Sequence, residues 1–357
     1  MKKLIPLLLI AALFLGACSA LIGQEPAQPL EITDSTGHTI ALEELPDRIA
    51  IAGKATVMVQ DTIFLFEEAL DRVVALENRR QSAYRFLPVV DPDLDEKEFF
   101  EMNAGAEQIA AVNPDLVIMK NFMAEQLGEP LAQLDIPVIY LDLENPEAFY
   151  QDVETLGKVF GNPERAEEIN QFYRSRVEQV QELVPEDAPR PDVLVVEYSE
   201  DGGEVAFSVP PVSWLQTRMV ELAGGRPIWQ ELEVSGGWTV ITVDQIAAWD
   251  PDQIFLIDYQ GNASQVAADL REDPIWSGLQ AVQNDQLYAF AFDFYSWDQP
   301  DTRWILGLQW LAGKIQPQTA AEIDMLEQVE QFYSVMYRLD AETIEAEVMP
   351  KLRGDIP

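Results

Sequence analysis

One cysteine and one histidine occur in 357 residues, and 23 basic residues stand against 62 acidic ones. A single cysteine excludes an intrachain disulfide framework. The single histidine, His38, falls in a predicted hairpin turn, so a histidine-based triad, a hydrolytic zinc site and a multi-histidine zinc or manganese pocket all lack support. No carboxylate pair stands out from the acidic background as a glycosidase would require. The net charge of −39 disfavours DNA, RNA and anionic lipid as partners, and reads most simply as a solvated acidic surface suited to a saline habitat. The apolar run from Leu4 to Leu15 is shorter than the about 20 residues that span a bilayer.

That run is nonetheless informative. Lys2 and Lys3 precede it and small residues follow, which is the layout of a signal peptide over residues 1–17. The lone cysteine, Cys18, closes the tetrad LGAC, which resembles the lipobox of bacterial lipoproteins. The resemblance implies that Cys18 is acylated and becomes the mature N-terminus, with residues 18–29 as a short polar tether. The expected location is the outer face of the cell membrane, held by the lipid anchor only.

Beyond the tether, DSTGHTIALEEL predicts a hairpin and RIAIAG a buried strand. Helical and strand patterns then alternate, which implies mainly parallel sheets with helices on both faces. EQIAAVNPDLVIMK, beginning at Glu107, is echoed by DQIAAWDPDQIFLI, beginning at Asp244. In both copies a short helix, a Pro-Asp turn and an apolar strand follow one another. Between them NPERAEEINQFYRSRVEQVQELVPED carries apolar residues at helical spacing between Pro163 and Pro185, predicting one long helix. The fold class expected is α/β in two lobes, each a mainly parallel sheet with flanking helices, joined by one long connecting helix with a ligand cleft between the lobes. The boundaries are residues 30–160 for the first lobe, 161–187 for the connecting helix, 188–300 for the second lobe and 301–357 for C-terminal helices packing on the lobes.

The lipobox, the hairpin and strand DSTGHTIALEELPDRIAIAG, the phrase VNPDLVIMK, the connecting segment NPERAEEINQFYRSRV, MVELAGG, and DPIWSGLQAVQNDQLYAF before DFYSWDQPDTRWILGLQWLA occur in an order that resembles the substrate-binding proteins of bacterial ABC importers, in the class with a single rigid connecting helix. Binders of ferric siderophores, haem, vitamin B12 and, in some cases, molybdate or tungstate belong to that class. The resemblance implies a monomer that works with a permease and its ATPase, carries no cofactor of its own and catalyses nothing. It also implies a docking acid on each lobe. Glu98 is the choice for the first; the second stays unassigned, because Gly224-Gly225 are followed by Arg226 where an acid is expected.

In two facing α/β lobes the ligand belongs beyond the strand tips. The first-lobe tips carry Lys54, Lys120 and Asn121; the second-lobe tips carry Glu197, Tyr198 and Tyr259. Convergent lysines suit an anionic ligand or the carboxylates of a chelate, unless each pairs with an acid at the rim. Tyr84, Trp214, Trp238, Tyr295 and Trp297 fall in predicted loops or at element ends, where flat rings can cover a macrocycle or chelate. Trp238 follows Gly236-Gly237, which lets the backbone approach closely. Arg303 reads either as an anion fork or as the partner of Asp298 or Asp301. The ligand expected first is a ferric chelate, haem or corrinoid-like molecule, with a molybdate- or tungstate-type oxyanion as the alternative and an extracytoplasmic hydrolase on the same scaffold as the reading from another class.

Overall fold

A computed structural model describes residues 29–78, 84–184, 189–232, 236–320 and 323–356. The expected signal peptide, Cys18 and nearly all of the tether lie outside the described residues. Strands β1 (Leu30–Thr33) and β2 (Thr39–Leu42) form the predicted antiparallel hairpin. Asp34 closes its turn by accepting from the Thr36 amide at 2.9 Å and the His38 amide at 3.1 Å.

The first lobe is a five-stranded, all-parallel sheet of β3 (Ile49–Ile51), β4 (Val73–Glu77), β5 (Glu98–Phe100), β6 (Leu116–Lys120) and β7 (Val138–Leu141), in the order β5-β4-β3-β6-β7. Its strands are buried on both faces. Ile49, Ile51, Leu116 and Ile118 join the main core, while Ala50, Val117 and Met119 alternate into a second apolar cluster on the other side. The strand order reverses between β3 and β6, so their C-terminal tips form the crevice where such sheets bind ligands.

The second lobe holds β8 (Asp192–Asp201), β9 (Glu204–Val209), β10 (Arg226–Pro227), β11 (Thr239–Ile241), β12 (Gln253–Ile257) and β13 (Leu287–Ala289). The order is β11-β9-β8-β12-β13, with β10 beside the start of β8. β8, β12 and β13 are parallel, whereas β9 turns back on β8 and β11 on β9. The β8-β9 hairpin, β5 and β11 were not expected from periodicity. Gly202 and Gly203, both with positive φ, make the tight hairpin turn between short runs.

The repeated phrase has a structural explanation. β6 and β12 each lie fourth in their sheets, beside the first strand of their own lobe. Each follows a short helix, α2 (Ala106–Ala110) or α5 (Val243–Trp249), and in each copy the residue before the proline, Asn113 or Asp250, adopts a left-handed conformation. The aspartate after the proline then does one job twice. Asp115 accepts from the Asp47 and Arg48 amides ahead of β3, at 2.8 and 3.0 Å, and Asp252 accepts from the Asp192 amide at the start of β8, at 2.8 Å.

Helix α3 (Pro163–Leu183) runs between the lobes, capped by Asn162, whose side chain accepts from the Arg165 amide at 3.0 Å. Its 21 residues make about six turns, and it stops short of the expected Pro185, which lies outside the described residues. Helices α6 (Trp304–Ile315) and α7 (Met325–Tyr337) pack against it and across both lobes. Arg165 on α3 donates to the carbonyls of Val335 and Met336 at the end of α7, and Tyr337 donates to the carbonyl of Asp61 in the first lobe. One continuous apolar core therefore runs from Ile32 through the interlobe region to Val348. Among the described residues no helix is long and apolar enough to cross a membrane.

Candidate functional site

A cleft of about 510 Å³ opens where the tips of the two sheets face each other. Its first-lobe wall begins after β3. There the amide of Gly53, at φ 98°, donates to the buried carboxylate of Glu77 at 2.6 Å. The chain then turns through Ala55, in a left-handed conformation, into helix α1 (Thr56–Ile63), so that Ala55 and Met58 line the cleft. Asn121 and Phe122, just past β6, and Glu144, past β7, complete this wall. The second-lobe wall is built by Trp214 and Gln216, at the start of helix α4 (Leu215–Leu222), and by Gly236 and Trp238 ahead of β11. Gln299 and Pro300 form the floor. A larger hollow of about 920 Å³ lies beside Pro189, Asp252, Gln253 and Gln286. It sits at the opposite, N-terminal ends of the second-lobe strands, where open parallel sheets do not bind ligands, so volume does not decide in its favour.

The aromatic wall is layered. Trp214 meets Trp238 edge to face at 6.1 Å, Trp238 meets Tyr259 at 6.2 Å, and Tyr295 stacks on Tyr259 at 6.5 Å one layer deeper. Tyr259 donates to Oδ2 of Asp298 at 2.9 Å. The same oxygen accepts from Gln216 Nε2 at 3.0 Å and from Gln299 Nε2 at 3.1 Å, and Gln299 Nε2 also donates to the Tyr259 hydroxyl. Burial holds the Asp298 carboxyl above its ordinary range, against the pull of its hydrogen-bond donors. Burial, aided by the charges of Asp298 and Asp258, pushes neighbouring Glu197 up to about 7.

Of the residues expected at the cleft, Asn121, Trp214 and Trp238 line it. Lys54 is exposed beside Ala55 at the rim. Tyr259, Tyr295 and Glu197 back the second-lobe wall. The others lie elsewhere, for identifiable reasons. Lys120 is fully buried, its Nζ donating to Glu144 Oε1 at 2.7 Å and to the Asp142 carbonyl, so it is the partner of a cleft acid rather than a ligand donor. Arg303 is also fully buried. It contacts Asp61 at 2.5 Å, Asp293 at 2.8 Å and Asp301 at 2.9 Å, with the ring of Phe86 4.5 Å away, so pairing with Asp301 describes it and the anion fork does not. Trp297 is wholly in the core. Tyr84 packs near Phe292 and accepts from Arg353, and Tyr198 donates to Glu200 while its ring meets Phe207. Glu98 is exposed on edge strand β5.

Met58, Phe122, Glu144, Gln216, Gln299 and Pro300 were not anticipated. Phe122 and Gln216 sit within two residues of Asn121 and Trp214, so a search extended around each strand tip finds them. Among the described residues no group of three or more histidine, cysteine or acidic side chains is arranged to hold a metal ion.

The chain belongs to the periplasmic binding protein family, whose model matches residues 79–293. It is 22% identical over 331 residues to an uncharacterised ABC transporter substrate-binding lipoprotein of Bacillus subtilis, covering 88% of this chain and 97% of that one. It is also 22% identical over 262 residues to a molybdate-binding protein of Haemophilus influenzae, covering 65% and 69%. Among solved structures, a periplasmic solute binding protein from Veillonella parvula superposes with a TM-score of 0.70 at 23% identity, over 89% of this chain and 96% of that one. The two-lobed α/β architecture is that of periplasmic binding proteins, and the chain is a substrate-binding protein of the ABC-transporter type.

Proposed function

We propose that this protein is exported, lipid-anchored through Cys18, and captures a neutral or cation-edged metal chelate of the corrinoid or ferric-chelate class between its lobes, delivering it to a membrane permease. The observation that carries the reading is the chemistry of the cleft. Trp214, Trp238 and Phe122 supply broad apolar faces, Asn121, Gln216 and Gln299 supply amides, and Glu144 is the only charged side chain in the described lining. Flat rings with sparse polar groups fit a large planar ligand that remains partly open to solvent. Glu98, exposed on β5, is our proposed permease-docking acid for the first lobe.

An oxyanion is the second reading, supported by the similarity to a molybdate-binding protein and by exposed Lys54 at the rim. Against it, the other two cations expected to serve such a ligand, Lys120 and Arg303, are already paired with protein carboxylates. Titrating tryptophan emission with cyanocobalamin, haemin, ferric citrate and molybdate separates the readings. Saturable quenching by a chelate, with none by molybdate, is expected; tight binding of molybdate with no response to any chelate would reverse the assignment.

A further inference from the structure

Three amides line the cleft, and a carboxylate holds the NH₂ group of each. Asn121 Nδ2 donates to Asp142 Oδ1 at 2.8 Å. Gln216 Nε2 and Gln299 Nε2 both donate to Asp298 Oδ2, at 3.0 and 3.1 Å. A carboxyl oxygen that accepts from an amide N–H decides which end of that planar amide faces it. The carbonyl oxygens of all three are consequently directed away from their carboxylates. For Gln216, itself almost wholly buried, Oε1 has no hydrogen-bond partner among the described residues, which leaves a desolvated acceptor in the cleft wall. Glu144 adds a fourth acceptor group from the facing lobe, one of its oxygens taken by Lys120.

We propose that Asp142 and Asp298 are specificity-determining positioning residues, which lock the cleft amides so that they present oxygen and thereby select a ligand whose edge carries N–H, O–H or ammonium donors. This rests on the reading of the cleft as the ligand site and deepens it. An orphaned acceptor is satisfied by a donor and repelled by another acceptor, so the arrangement selects by penalty as well as by attraction. A chelate rimmed with primary amides meets the requirement. One rimmed with carboxylates, or a bare oxyanion, sets oxygen against oxygen.

The test uses probes of one shape, cyanocobalamin and its side-chain monocarboxylic acids, in which an amide is replaced by a carboxylate. The wild-type protein binds the amide form more tightly, by about tenfold for one misplaced hydrogen-bonding group. Asp298→Asn, close to isosteric, frees Gln216 and Gln299 to rotate and brings that ratio towards one, whereas a merely structural role would weaken both probes together. An unchanged ratio in the variant, or a wild-type preference for the acids, overturns the proposal. If no corrinoid binds, the ligand class fails, and the orientation is still tested without ligand. The side-chain NH₂ protons of Gln216 and Gln299 should exchange slowly in the wild type and rapidly in Asp298→Asn, with Asn121 unaffected; Asp142→Asn should give the converse. Equal exchange in wild type and variants would refute the lock directly.

Discussion

Replacing Arg303 would leave Asp61, Asp293 and Asp301 facing one another in the core with their common counter-charge gone. Breaking a buried charge network from one side typically costs about 3–5 kcal/mol, because the remaining charge is uncompensated. Asp61 already relieves part of the crowding. Burial raises its carboxyl well above the ordinary range, Arg303 opposing and Asp301 adding to the shift. Urea unfolding should therefore show a large loss of stability for Arg303→Met and a much smaller one for Asp61→Asn; equal losses would contradict this description of the charges. The same cluster marks where residue-level reading of the sequence stops. Arg303 and Lys120 each read either as a ligand-binding cation or as the partner of a nearby acid, and Asp301 is only two residues from Arg303, but Asp61 is 242 residues from Arg303 and Glu144 is 24 from Lys120. Local pattern does not reveal a counter-charge that only tertiary packing brings alongside. Trp214, Trp238 and Asn121 were legible because they sit immediately at element ends that the pattern does locate.

Among the elements, the repeated helix-turn-strand phrase was the most readable feature, since its apolar spacing and Pro-Asp turn are local properties. Its purpose was not readable, because the amides held by Asp115 and Asp252 belong to strands that begin far away in sequence. Asp115 takes two backbone donors, whereas Asp252 takes one backbone donor and the exposed Gln280 side chain, so Asp115→Ala should destabilise the protein more than Asp252→Ala, with each loss about 1–3 kcal/mol. Matching midpoints in denaturant for both variants would argue that the caps are incidental. The strands missed from periodicity were short or solvent-facing: β5 and β11 have three residues each, too few to establish a period of two, and β9 begins with exposed Glu204 and Val205. The long helix α3 was legible because six turns of one period, bounded by Asn162-Pro163, leave little ambiguity.

At the scale of the whole molecule, three acids raised by burial set the direction of pH dependence. Burial raises both Glu197 and Asp152 to about 7, and raises Asp298. An acid whose folded value exceeds its unfolded one binds its proton more tightly in the fold. Its contribution is complete below the ordinary value, 4.5 for Glu197 and 3.8 for Asp152, and is lost as pH rises through about 7. The melting temperature should accordingly be higher at pH 6 than at pH 8, with the difference reduced in Glu197→Gln; a melting temperature that climbs from pH 6 to pH 8 would contradict the assignment. The lobes themselves are tied by α3, α7 and the Arg303 cluster, with the cleft proposed as the place where the two halves meet a common ligand. Native mass spectrometry of the protein purified from its own host, beside a Trp214→Ala, Trp238→Ala double variant prepared in parallel, tests that claim most directly. A single retained metal chelate bearing amide or hydroxyl donors, lost from the double variant, is the predicted result; a retained oxyanion, or a ligand held equally well by both proteins, would contradict it.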